Sequence, residues 1–176
     1  MHYYMFNKPY GCVSARSDAT YPTVMDYFKK LNIPDLSPVG RLDRETEGLL
    51  LITDDGHFNQ QLTHPTYAKE KTYEFIALGV LNSKKIDTLE NGVMLIGATN
   101  LTAPSKIHIT NTSILSDILP SLPSQIQEKT KHNRPNHPVV LGRITVTEGK
   151  KHQVRRMLKA VGCCIIYLKR IAMGDI

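Results

Sequence analysis

An α+β fold, built on a mixed and largely antiparallel sheet with flanking helices, is predicted by three observations. Apolar runs of strand length recur from one end of the chain to the other. Several are separated only by short, hairpin-like gaps. Helical periodicities interrupt them irregularly rather than after every strand, as a parallel βαβ array would require. The 176 residues suit one domain, or two small subdomains sharing a core, and 41% hydrophobic content is enough for a packed interior.

The elements follow in order. Residues 2–7 form a first strand, closed by the turn "NKPYG". "TVMDYFKKL" places Val24, Tyr27, Phe28 and Leu31 at helical spacing behind Thr23 as N-cap. Gly48–Thr53 is a buried strand stopped by "DDG", and a short helix follows with Phe58 and Leu62 on one face. "KTYEFIALGV" alternates as a strand, and "SKKIDTLENG" is a capped helix ending at Gly92. "TAPSKIHIT" and "VVLGRITVT" are further strands. "KHQVRRMLKAVG" is an amphipathic helix with Val154, Met157, Leu158 and Val161 at i, i+3, i+4 and i+7. "CCIIYLKRI" is the last strand. Between them, residues 111–138 are rich in Ser, Pro, Asn and Lys and are expected to form a flexible excursion.

Composition narrows the class. No apolar run approaches the roughly 20 residues that span a bilayer, and "MHYYMFNKPYG" lacks the pattern of a signal peptide. A cytoplasmic protein without membrane contact is expected. Cys12, Cys163 and Cys164 make neither a disulfide framework nor a CxxC metal site. The net charge is +6, unevenly spread: residues 129–170 hold eleven Lys and Arg against one acid, Glu148. Such a basic face suits a polyanion, nucleic acid above all, although a solvated surface has the same composition.

Three stretches could carry chemistry. In "GRLDRETEGLLLITDDG", Arg41 and Asp43 are two apart on an extended segment, so both point the same way. A guanidinium keeps a neighbouring carboxylate ionised and nucleophilic; the plain alternative is a pair that pins a turn. In "EKTYEF", Lys71 and Tyr73 share a strand face, and Tyr73 offers a ring to stack on a base, or else fills the core. In "EGKKHQVRRMLKAVG", His152, Gln153, Arg155 and Arg156 occupy the first turns of a helix, where phosphate is attracted by backbone N–H groups and by arginine forks. Asp54 and Asp55 suit a turn or N-cap better than a metal site. His132 and His137 lack zinc spacing, and there is no Walker or GxGxxG sequence. No metal and no cofactor is expected.

Taken in this order, "FNKPYG", "GRLDRETEGLLLITDDG", "EKTY" and "EGKKHQVRRMLKAVG" resemble the pseudouridine synthases of the ribosomal-RNA branch, whose prototype modifies the small subunit. The resemblance implies the pseudouridine synthase fold, a bent sheet with a central active-site cleft. It implies isomerisation of a specific uridine in ribosomal RNA on a flipped-out nucleotide. Asp43 then matches the nucleophile, Tyr73 the ring stacked on the uracil, and Arg155 the basic partner of the carboxylate. Arg41 matches the residue that helps fill the space the nucleotide leaves. Lys71, His152, Gln153 and Arg156 are expected to support or bind the RNA. Residues 1–176 are expected to be a catalytic domain, monomeric, without a separate N-terminal RNA-binding module and with a shortened C-terminal end. An RNA-binding or ribosome-assembly protein without catalysis is the rival from another class. A glycoside hydrolase using Asp43 with Glu45 or Glu47 is a remote third.

Overall fold

The computed structural model describes residues 1–176. In chain order the elements are β1 (Tyr3–Lys8), β2 (Ser37–Pro38), β3 (Glu47–Thr53), α1 (Gly56–Thr63), β4 (Lys71–Leu78) and α2 (Ser83–Asn91). Then come β5 (Lys106–Ile114), α3 (Leu115–Ile118), α4 (Ser124–Thr130), β6 (Pro138–Val146), α5 (Gln153–Ala160) and β7 (Cys164–Met173). Met1–Lys71 with Lys169–Ile176 form one compact unit, and Thr72–Leu168 form a second.

In the first unit β1 runs antiparallel to β3 over its whole length, from Tyr3 opposite Thr53 to Lys8 opposite Gly48. β2 also meets β3 antiparallel, and the end of β7 meets it parallel, with Gly48 opposite Arg170. The sheet is therefore mixed and mainly antiparallel, as the alternating runs predict. Gly48 makes the parallel contact feasible. Its φ of +108° is foreign to other residues, and a Cβ there would lie 2.2 Å from the Arg170 carbonyl oxygen. One face of the sheet packs Val39, Leu51, Leu62 and Met173 together, and Leu62 comes from α1, whose N-cap Asp55 accepts from the His57 and Phe58 N–H groups.

The stretch expected to be one helix at "TVMDYFKKL" is instead two 3-10 turns, Val24–Tyr27 and Lys29–Leu31. Flanking Pro22 and Pro34 leave little room for an α-helix to propagate. Its aromatic residues are used across the sheet. Tyr27 and Phe28 lie against Phe6 with ring centroids 5.1 and 5.4 Å apart, and Phe28 also meets Tyr4.

In the second unit β5 and β6 pair antiparallel along their length, with a bulge between Ile109 and Asn111. The strand order continues from β6 to β4 to β7. Phe75, Ile144, Ile165 and Leu168 from the strands bury against Leu89 of α2 and Val154, Met157 and Leu158 of α5. The period read from α5 is thus the period of its buried face. Residues 111–138, expected as a flexible excursion, contain regular structure. They complete β5, form α3 and α4, and bury Leu115, Leu122 and Ile126. The polar composition of the segment masks these widely spaced apolar anchors.

Candidate functional site

The first unit carries Arg41, Asp43 and Lys71. Residues 41–43 carry no regular secondary structure and lead through a turn at Arg44–Glu45 into β3. Leu42 is buried, Arg41 exposed and Asp43 half-buried.

Four contacts clamp the turn. The buried Ser14 hydroxyl donates to the Leu42 carbonyl at 2.9 Å and accepts from the Leu42 N–H at 3.0 Å. A single side chain thereby replaces one rung of a strand ladder. The Gly11 N–H donates to the Arg44 carbonyl at 2.8 Å, and the Thr46 N–H closes the turn onto the Asp43 carbonyl at 3.0 Å. Lys8 completes the clamp. Fully buried, its Nζ donates to the carbonyls of Pro9, Arg44 and Thr46 at 2.9, 3.2 and 2.8 Å. Burial pulls the Lys8 pKa below the ordinary lysine value, with Arg44 adding to the fall, while Cys12, Glu47 and Asp43 act in the opposite direction. The Arg44 side chain lies over the Tyr21 ring at 4.6 Å and near Tyr10 at 6.0 Å, which holds the residue after Asp43 from outside.

Sequence reasoning missed Lys8 and Ser14. "NKP" was legible only as a turn. A lysine next to a proline carries no mark of total burial, and Ser14 is 28 residues from the backbone it grips.

Lys71 opens β4 half-buried, with Nζ 3.4 Å from the Lys69 carbonyl. Burial first, and the Arg170 guanidinium second, lower its pKa. Its charge is held at a cost, as expected of a cation kept for an anionic ligand or for the fold.

The second unit carries Tyr73, His152, Gln153, Arg155 and Arg156. Tyr73 is half-buried on β4 and packs against the main core cluster. His152 caps α5 from the left-handed region, φ 53°, and is exposed. Gln153, expected to support or bind the RNA, is buried, accepts from the Lys150 N–H at 3.1 Å and donates to Glu148 at 3.1 Å, while Glu148 accepts from the Ala103 N–H at 2.7 Å. Its amide links the loop before α5, through Glu148, to the segment after α2. Arg156 donates to the carbonyls of Ile96 at 2.6 Å and Lys151 at 3.3 Å. His152, Arg155 and Arg156 line one open groove of about 430 Å³ together with Lys151 and Lys159. No group of three or more His, Cys, Asp or Glu side chains is arranged to hold a metal ion, and no helix is long and apolar enough to cross a membrane.

Known proteins resemble this chain over nearly its whole length. A profile of the RNA pseudouridylate synthase family matches residues 2–160. An uncharacterised RNA pseudouridine synthase of Bacillus subtilis is 36% identical over 175 residues, which is 99% of this chain and 63% of that protein. The ribosomal small subunit pseudouridine synthase A of Haemophilus influenzae is 32% identical over 174 residues, again 99% and 63%. The ribosomal large subunit pseudouridine synthase B of Bacillus subtilis is 35% identical over 170 residues, 96% of this chain and 59% of that one. A crystal structure of a pseudouridylate synthase superposes with a TM-score of 0.76 at 31% identity, covering 99% of this chain and 63% of the other. The chain therefore spans a little under two thirds of the length of the relatives it matches.

Proposed function

We propose that this chain, which belongs to the RNA pseudouridylate synthase family, isomerises a uridine of ribosomal RNA to pseudouridine. Relatives named for small-subunit and for large-subunit RNA match at similar identity. They support ribosomal RNA as the substrate class without favouring either subunit. The observation that carries the reading is the clamped turn. Segment 8–14 and the turn itself fix the backbone around Asp43 through Lys8, Gly11, Ser14 and Thr46. Preorganisation of that kind is what a nucleophile or base needs and what a surface turn does not.

The chemistry requires no external group. The bond from uracil N1 to the ribose anomeric carbon breaks, the uracil turns, and its C5 joins the same carbon. The C5 proton leaves while N1 gains one, so atoms and electrons balance within the nucleotide and solvent. Asp43 acts on the ribose, as nucleophile or as base, or adds to the uracil ring. Tyr73 stacks on the uracil, and Arg155 supports the carboxylate. Arg41 occupies the space that the flipped nucleotide vacates, at an unstacking cost of a few kcal/mol. Lys71, His152 and Arg156 offset that cost through phosphate contacts.

Asp43→Asn keeps shape and removes charge. Tritium release from C5-labelled uridine in ribosomal RNA is expected to fall to background, while RNA affinity stays within about threefold. Turnover at the wild-type rate would remove Asp43 from the reaction. Binding without product from the unaltered protein would leave the chain an RNA-binding protein without catalysis.

A further inference from the structure

The surface at the start of α5 carries cations beyond those assigned to the reaction. The buried residues of α5, Val154, Met157 and Leu158, belong to the core. Arg155, Arg156 and Lys159 of α5, with Lys151 and His152 from the turn before it, line the 430 Å³ groove, and no carboxylate is among the lining residues. Lys151 and Lys159 are exposed, eight residues apart, with Arg155 midway. Arg156 is fixed at the groove by the Lys151 and Ile96 carbonyls. Ile96 itself stands 93% exposed on the loop that Arg156 grips.

We propose that this groove is a binding track for the substrate's phosphodiester backbone outside the reacting nucleotide. Lys151 and Lys159 bracket it electrostatically, and Ile96 is the apolar contact for a flanking base. The proposal rests on the reading that the chain acts on RNA. Charge complementarity chooses the occupant: five potential cations in an open groove suit a polyanion, and the adjoining apolar tip suits a nucleobase face, which a bare anion lacks. Lys151, Lys159 and Ile96 thereby become determinants of affinity rather than of chemistry.

The test compares the unaltered protein, Lys151→Ala/Lys159→Ala and Ile96→Ala. Each is titrated by fluorescence anisotropy with a labelled single-stranded ribosomal RNA fragment between 50 and 200 mM KCl. Each lost single-strand phosphate contact lowers the slope of log affinity against log salt by about 0.7. The double variant should lose about 1.4 in slope. A fourfold rise in salt then costs the unaltered protein about sevenfold more affinity than it costs the variant. Ile96→Ala should weaken binding roughly fivefold with the slope unchanged. The rate at saturating RNA should be the same for all three.

A slope unaltered in the double variant overturns the proposal, as does displacement of the RNA by polyglutamate at equal charge concentration, which would give the groove to an acidic protein. Because the slope is a binding measurement, it decides the groove even if no uridine is isomerised. A failure of the isomerase reading appears separately, in the Asp43→Asn comparison.

Discussion

Replacing Ser14 by alanine isolates the clamp on the Asp43 turn, because it removes one oxygen from a buried position and adds nothing. Two outcomes compete. If the two hydrogen bonds to Leu42 merely vanish, the loss is about 0.5–1.5 kcal/mol each. The geometry argues for more. Ser14 and Leu42 are each about 5% exposed, so the Leu42 N–H and carbonyl are left where water has little access. An unsatisfied buried group costs about 1–3 kcal/mol, and two of them, with some relaxation, give about 2–4 kcal/mol. Urea unfolding should show a lower midpoint at an unchanged slope. The turn itself persists, since Lys8, Gly11 and Thr46 still hold it. The variant should therefore fold and bind RNA, with kcat at least about tenfold lower and KM little altered, because the carboxylate is less well placed. Ser14→Thr keeps the hydroxyl and should restore most of the rate. A Ser14→Ala protein within about 0.5 kcal/mol of the parent and equally active would refute the argument, since it would mean that the turn is positioned by something other than this side chain.

Gly48→Ala sets a Cβ 2.2 Å from the Arg170 carbonyl oxygen and 2.8 Å from its nitrogen, at φ +108°. It is expected to cost at least about 3 kcal/mol, seen as a loss of soluble protein or a collapsed urea midpoint, and a normal midpoint would refute it. Lys8→Met removes a desolvated charge but also the donor to three carbonyls. The orphaned acceptors outweigh the relief, for a net loss of about 2–4 kcal/mol, and a more stable variant would show that desolvation wins. Lys71 has its folded pKa below the ordinary 10.5, from burial and then Arg170. Between the folded and unfolded values the unfolded chain holds a proton that the folded chain has released. The stability of the unaltered protein relative to Lys71→Met should therefore rise with pH through that window up to 10.5, and a difference independent of pH would assign Lys71 an ordinary value.

What the sequence made legible shares one property: it depends on near neighbours. β3 was readable as a short apolar run, Leu50, Leu51 and Ile52 all being buried, and α5 from the 3.6 period of Val154, Met157 and Leu158. Most of the failures are of other kinds. "TVMDYFKKL" has helical spacing, yet its rings are committed to Phe6 and Tyr4 on another element, and 3-10 turns deliver them there. α4 went unseen because its burial falls on single residues, Ile126 among polar ones, which composition averages away. Gln153 resembled its basic neighbours in polarity, and only the positions of Glu148 and Lys150 show that its amide is consumed internally. Lys8 and Ser14 act on backbone 28 to 38 residues distant, and no pattern within a window can register that. The asymmetry has a physical cause. A carboxylate or a guanidinium announces itself by its chemistry, whereas the groups that hold it still are backbone carbonyls and short side chains that every protein contains. Their function exists only once the fold has brought them close to one another, so a candidate reactive group can be read from the sequence while what holds it still is written in the tertiary contacts.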